Sequence, residues 1–172
     1  MLAWGKEVSE EFCQRVNEIA ESLGTDPNYL MACMAFESGE TFSPAVKNAA
    51  GSGAVGLIQF MPATAQALGT TTDELASMTA EDQLDYVEEY FKSSRGKLKS
   101  LDDVYMAILW PAAVGKSSDY VLFRRDDPEH PKRYLLNAGL DFNKDGMVTK
   151  AEAADRVRRK LEKGLTPEFA SD

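Results

Sequence analysis

Histidine and cysteine are almost missing from this 172-residue chain, which has one of the first and two of the second. One histidine excludes a His-cluster zinc site. Any His-assisted nucleophile would have to rely on His130, which lies between Pro128 and Pro131 in DDPEHPKR, a loop-forming stretch. Cys13 and Cys33 have no CxxC spacing and no neighbouring histidine, so two buried thiols are expected, with a disulfide as the alternative. Long hydrophobic runs are also lacking. The longest nearly apolar stretch, Tyr105 to Gly115, is too short to span a bilayer and contains Pro111, so no stable membrane insertion is expected. Basic residues are outnumbered, 19 against 28 acidic, for a net charge of −9. That balance argues against broad capture of nucleic acid or anionic lipid and leaves only local basic patches. The opening MLAWGKEVSEEF has no cationic start leading into an apolar segment, so no signal peptide is expected.

What is present is an ordinary apolar fraction of 44%, enough for one sizeable core with a small appendage. The pattern is mostly helical. Ser9 caps a run whose Phe12, Val16, Ile19 and Leu23 recur at helical spacing before Gly24. Asp26-Pro27 starts a second helix whose stripe of Leu30, Cys33 and Met34 leads to Glu37. Further helices are expected from Pro62 to Leu68, Thr72 to Ala76, Thr79 to about Ser94 and Ser100 to Trp110. Gly51, Gly53 and Gly56 punctuate the segment before Pro62, which has room for short strands near Ala54 to Phe60.

Glu37 lies one turn beyond Cys33 and Met34, on the buried side of its helix. A carboxyl packed against apolar groups such as Met34, Leu57 or Met61 loses solvation of its charged form and stays protonated near neutrality, ready to donate a proton. The glycine-punctuated loop beside it lets backbone groups approach a polar, extended ligand such as a sugar chain.

These residues resemble a known family. Glu37-Ser38, then Phe42, Pro44 and Ala45, then Gly53-Ala54-Val55-Gly56-Leu57-Ile58-Gln59-Phe60-Met61-Pro62 with Thr64-Ala65, are similar to the first two motifs of the soluble lytic transglycosylase domain over about thirty residues. The resemblance implies a mainly α fold of the α+β lysozyme-like superfamily, acting on the glycan strands of peptidoglycan. It implies that Glu37 is the sole acid/base, that Ser38 helps orient it, and that Gln59 and the backbone at Gly56, Leu57 and Ile58 line the glycan groove. In the implied mechanism Glu37 protonates the oxygen between N-acetylmuramic acid and N-acetylglucosamine, the N-acetyl group assists, and the C6 hydroxyl attacks to leave a 1,6-anhydro end. No cofactor takes part. Ordinary glycoside hydrolysis needs two carboxylates. A second one from Glu40, Asp73 or Glu74 would make the chain a goose-type muramidase instead.

Where most members of that family carry Tyr-Asn-Ala-Gly, this chain reads Leu109-Trp110-Pro111-Ala112-Ala113-Val114-Gly115. Trp110 is a candidate for stacking on a sugar and equally for core packing. Tyr134 and Tyr120 are the candidates to supply the tyrosine hydrogen bond to Glu37.

A second motif, Asp141-Phe142-Asn143-Lys144-Asp145-Gly146-Met147-Val148-Thr149-Lys150-Ala151-Glu152, satisfies the EF-hand pattern. Asp141, Asn143, Asp145, the Met147 carbonyl, Thr149 or a water, and Glu152 supply oxygens for Ca²⁺. Thr149 with Glu152 also forms a capping box for a helix to about Lys163. No second hand is present to pair with it, so the expected role is structural. Arg156, Arg158, Arg159, Lys160 and Lys163 on that helix are expected to form a solvated face, with contact to anionic cell-wall polymer as the alternative.

The expected organisation is a transglycosylase domain over 1–136, a calcium loop and exit helix over 137–165, and a frayed tail over 166–172. Small size, no signal peptide and a fused calcium loop resemble phage endolysins, monomers made in the host cytoplasm that reach the wall once a holin opens the membrane. A virion protein that binds glycan without cleaving it, and a calcium sensor, are the competing classes.

Overall fold

A computed structural model describes residues 1–172. Eight α-helices form most of the molecule: α1 Glu10–Leu23, α2 Pro27–Glu37, α3 Pro62–Ala67, α4 Thr72–Ser77, α5 Ala80–Phe91, α6 Leu101–Leu109, α7 Pro131–Asn137 and α8 Lys150–Gly164. The expected caps are in place at Ser9, Asp26, Thr79, Ser100 and Thr149, and Thr71 caps α4 as well, each side chain accepting a backbone N–H of the first turn.

α2 is the central helix. Leu30 to Ala35 are six consecutive buried residues, so the helix is covered on all sides rather than along one stripe. α1, α6 and α8 supply that cover. Ala153, Ala154 and Val157 of α8 join Phe12, Val16, Ile19, Met31, Cys33, Val104 and Met106 in one hydrophobic cluster. Both cysteines are free thiols, Cys33 buried and Cys13 half-buried.

The segment from Ala54 to Phe60 forms no strand. It holds only the isolated bridges Lys47↔Val55 and Val55↔Phe60, because positive-φ residues at Gly53, Gly56 and Gln59 turn the chain too often for a ladder. The sheet forms elsewhere: β1 Val121–Arg124 pairs antiparallel with β2 Met147–Thr149, with Phe123 opposite Val148.

The last residues, expected to fray, are docked instead. Leu2 and Ser171 form an antiparallel bridge, Phe169 packs on Trp4 at 4.7 Å between ring centroids, and Trp4 Nε1 donates to Lys160 O at 2.9 Å. A Cβ on Gly164 would stand 2.3 Å from the Trp4 ring, so glycine is required for that closure.

Candidate active site

Glu37 is the last residue of α2 and half-buried. Burial alone pushes its carboxyl up to about 7, and no neighbouring acid or base contributes. At neutral pH the group is shared between its acid and carboxylate forms, as a residue that both donates and accepts a proton requires.

Two tyrosines from other helices sit close enough to Glu37 for their charges to interact. Tyr105 of α6 is buried, and burial first, then the Glu37 and Cys33 charges, raise its ionisation well above the ordinary value. Its ring meets Phe36 edge-on at 5.6 Å. Tyr90 of α5 is raised by burial and then by Glu37, and its hydroxyl donates to Ala107 O at 2.6 Å. Sequence reasoning missed both residues. The signal available was the stripe Leu101, Val104, Tyr105, Ile108 on α6, which places Tyr105 on the core side.

The structure puts the expected tyrosines elsewhere. Tyr134 Oη donates to Asp141 Oδ2 at 2.6 Å, so this residue serves the acidic loop and not the glutamate. Tyr120 lies under Lys116 and its carbonyl accepts the Lys150 N–H. Trp110 is half-buried, edge-on to Phe123 at 5.2 Å, and the Arg133 guanidinium covers its ring at 5.0 Å. Its partners are therefore protein groups.

Ser38 is buried and its hydroxyl accepts the Phe42 N–H at 2.9 Å, which folds the turn after Glu37. Leu57 and Ile58 bury their side chains, leaving their backbone as what the loop can offer a ligand. Gln59 Nε2 donates to Val46 O and Gly56 O, both at 3.1 Å. Gln59, Ile58, Met61, Thr64, Tyr90 and Ile108 line a small cavity of about 60 Å³.

The loop is fixed by a residue that sequence reasoning passed over. Gln83 of α5 is fully buried; its Oε1 accepts Leu57 N–H at 2.8 Å, and its Nε2 donates to Pro44 O at 3.0 Å and Leu75 O at 2.8 Å. Gly56, at φ +88°, is the point of closest approach, where a Cβ would come within 2.4 Å of Gln83 Oε1.

Of the three candidates for a second carboxylate, Glu40 is bound by Lys160 and Lys163, whose hydrogen bonds hold it below the ordinary range. Glu74 accepts a hydrogen bond from Thr70, and Asp73 stands beside it in the first turn of α4. None of them bears on the ionisation of Glu37.

In the acidic loop, one carboxylate oxygen each from Asp141, Asp145 and Glu152 lies within 4.8 Å of the others. Asp141 is buried, accepts the Asp145 and Gly146 N–H groups, and is held below the ordinary carboxylate range, first by the Tyr134 hydroxyl. Asn143 Oδ1 accepts Asp145 N–H, Gly146 has φ +84°, and Glu152 Oε1 and Oε2 accept the N–H groups of Thr149 and Phe142. The basic face of α8 is largely paired: Arg158 with Asp102 and Asp155, Arg159 with Asp155, Lys160 and Lys163 with Glu40. Arg156, Arg159 and Lys163 are exposed, as a solvated face requires, while Arg158, Lys160 and Lys163 also tie the helix to Asp102 and Glu40 of the body.

Glu37 at the end of a buried helix, followed by a glycine loop pinned from α5, is the arrangement of a lysozyme-like glycosidase. The sequence profile of the transglycosylase SLT domain matches residues 14–109, from the second turn of α1 to the end of α6. The chain belongs to that family, and it is a lytic transglycosylase-type enzyme acting on peptidoglycan. No curated protein gives a match to the chain. Trp110 and the acidic loop lie beyond the matched residues. No helix is long and apolar enough to cross a membrane.

Proposed function

We propose that the protein cleaves the β-1,4 bond between N-acetylmuramic acid and N-acetylglucosamine and releases a 1,6-anhydro end, with Glu37 as its one acid/base. The observation that carries this reading is the place of Glu37, half-buried at the end of α2 with its carboxyl raised to about 7 by burial alone, while Glu40 is paired with two lysines, Glu74 is bonded to Thr70, and no other carboxylate bears on it. A single group near neutrality donates its proton to the leaving oxygen. Its carboxylate form then takes the proton of the C6 hydroxyl, which closes the anhydro ring. Hydrolysis would require a second carboxylate to activate water. Mass spectrometry of peptidoglycan digested by the wild type and by Glu37→Gln tests this. Anhydro ends that vanish in the variant are expected, whereas reducing ends would assign a muramidase.

The loop from Asp141 to Glu152 fits a calcium ion. Three carboxylates converge within 4.8 Å with no lysine or arginine paired to any of them, and hard oxygen donors stand at loop positions one, three, five and twelve. Asp141, Asn143, Asp145, the Met147 carbonyl, Thr149 and Glu152 would hold it. Calcium there supplies charge neutralisation and folding free energy and takes no part in bond cleavage. The joining of this loop to a transglycosylase domain supports a phage endolysin as the biological setting.

A further inference from the structure

The turn that follows Glu37 is bent into an unfavourable backbone shape and held there by the far end of the chain. Gly39, Glu40 and Phe42 have φ of +63°, +68° and +49°, a region that non-glycine residues enter only when their surroundings compel it. Glu40 N–H donates to Ala35 O at 2.7 Å, so the turn folds tightly back over the last residues of α2. Glu40 also places an anion at the C-terminal end of that helix, where the macrodipole opposes it.

Compensation arrives from α8. Lys160 Nζ binds Glu40 Oε2, and Lys163 Nζ reaches Oε1 at 2.8 Å and Oε2 at 3.0 Å. Both lysines are themselves oriented. The Lys160 carbonyl accepts the Trp4 indole N–H, and the Lys163 ammonium lies 5.6 Å from the Trp4 ring centroid and 5.3 Å from that of Phe169. The aromatic contacts restrain the Lys163 side chain and the Trp4 bond fixes the Lys160 backbone, so this pairing is better ordered than an ordinary surface ion pair.

We propose that Glu40, Lys160 and Lys163 are positioning residues: the lysines of α8 lock the turn after Glu37 and thereby fix how deeply the catalytic carboxyl is buried. This rests on Glu37 being the acid/base. The titratable groups facing Glu37 are Cys33 on its own helix, Tyr90 on α5 and Tyr105 on α6, with Arg156 of α8 acting on Tyr105. The cysteine and both tyrosines are raised above their ordinary values and stay neutral at neutral pH, so solvent access is what remains to set the glutamate.

The test compares wild type, Glu40→Gln, and the charge swap that combines Glu40→Lys with Lys160→Glu and Lys163→Glu. Each is assayed on purified peptidoglycan across pH, with a melting curve. Glu40→Gln is expected to lower kcat/KM roughly tenfold and to move the alkaline limb of its pH profile down by about half a unit, as water reaches Glu37. The swap is expected to recover most of both. A lower Tm with an unmoved limb, or a swap no better than Glu40→Gln, would overturn the proposal. The second result would also fit Glu40 acting directly as a carboxylate. Activity retained by Glu37→Gln would remove its premise, a failure separable from that of the clamp.

Discussion

Lys150 Nζ stands 2.5 Å from Asp103 Oδ1, and both side chains are buried. The pair joins the residue that opens α8 to the first turn of α6, and Lys150 also donates to Lys116 O at 2.7 Å. Burial pushes the Asp103 carboxyl up, but the Lys150 and Gly115 hydrogen bonds outweigh it and keep the group below its ordinary value. Removing one partner strands the other charge. Lys150→Met is therefore expected to cost about 3–5 kcal/mol in denaturant unfolding, and adding Asp103→Leu to it should recover most of that loss.

Glu37 makes the enzyme less stable where it is more ionised. Its native carboxyl sits at about 7 against an ordinary 4.5, so the native state holds more protons than the unfolded chain between those values. Stability attributable to this group is present at acid pH and falls as pH rises from about 4.5 through 7. Glu37→Gln is expected to abolish turnover and, at pH 8, to stabilise the fold by on the order of 2–3 kcal/mol, an advantage that disappears near pH 4. Unfolding curves at both pH values check this. The wild-type rate should decline on the alkaline side of pH 7, as the acid form is lost.

Gly56 and Gln83 set the loop geometry together. Gly56→Ala brings a Cβ within 2.4 Å of Gln83 Oε1 at a backbone φ of +88°, so a loss of about 2–3 kcal/mol and of most activity is expected. Gln83→Leu leaves Leu57 N–H and Pro44 O unpaired and removes one of the two bonds to Leu75 O, at a similar cost. Thermal melts and peptidoglycan turbidity clearance measure the two effects.

Chelation should loosen the C-terminal loop before it touches the chemistry. With calcium at 100 times its Kd, removal is expected to cost about 2.7 kcal/mol and to lower Tm by several degrees. Glu152→Gln keeps an acceptor for the capping box at Thr149 but loses a charged ligand, so its melting curve should ignore EGTA. An unchanged wild-type melt on chelation would remove calcium from the account.

The helices other than α7, which was not expected, were legible because caps and period coincide. Ser9, Asp26, Thr79, Ser100 and Thr149 each precede an apolar repeat, and every one of them opens a helix. Glu37 and the loop to Pro62 were legible because their spacing is local. Tyr105, Tyr90 and Gln83 were not, since their roles depend on which helix α2 and its loop pack against, and a period marks a residue as buried without naming its neighbour. The basic face of α8 was half legible for the same reason: Arg156, Arg159 and Lys163 are exposed as expected, but the carboxylate partners of Arg158, Lys160 and Lys163, 56 to 123 residues away, appear only once the helices are placed. The β1–β2 pairing needed long-range register that no local pattern carries.

Leu2 lies against Ser171, and Trp4 is wedged over Gly164. Positions 2 and 171 therefore meet, and a short flexible link between them would span almost no distance. New ends could be opened in the exposed stretch from Lys47 to Gly53, where the backbone makes few bonds beyond its own turn. A rearranged chain of that kind would keep Trp4, α8 and the Glu40 turn on one continuous segment. The lysines of α8 would then be made before the Glu40 turn that they hold, the reverse of their present order.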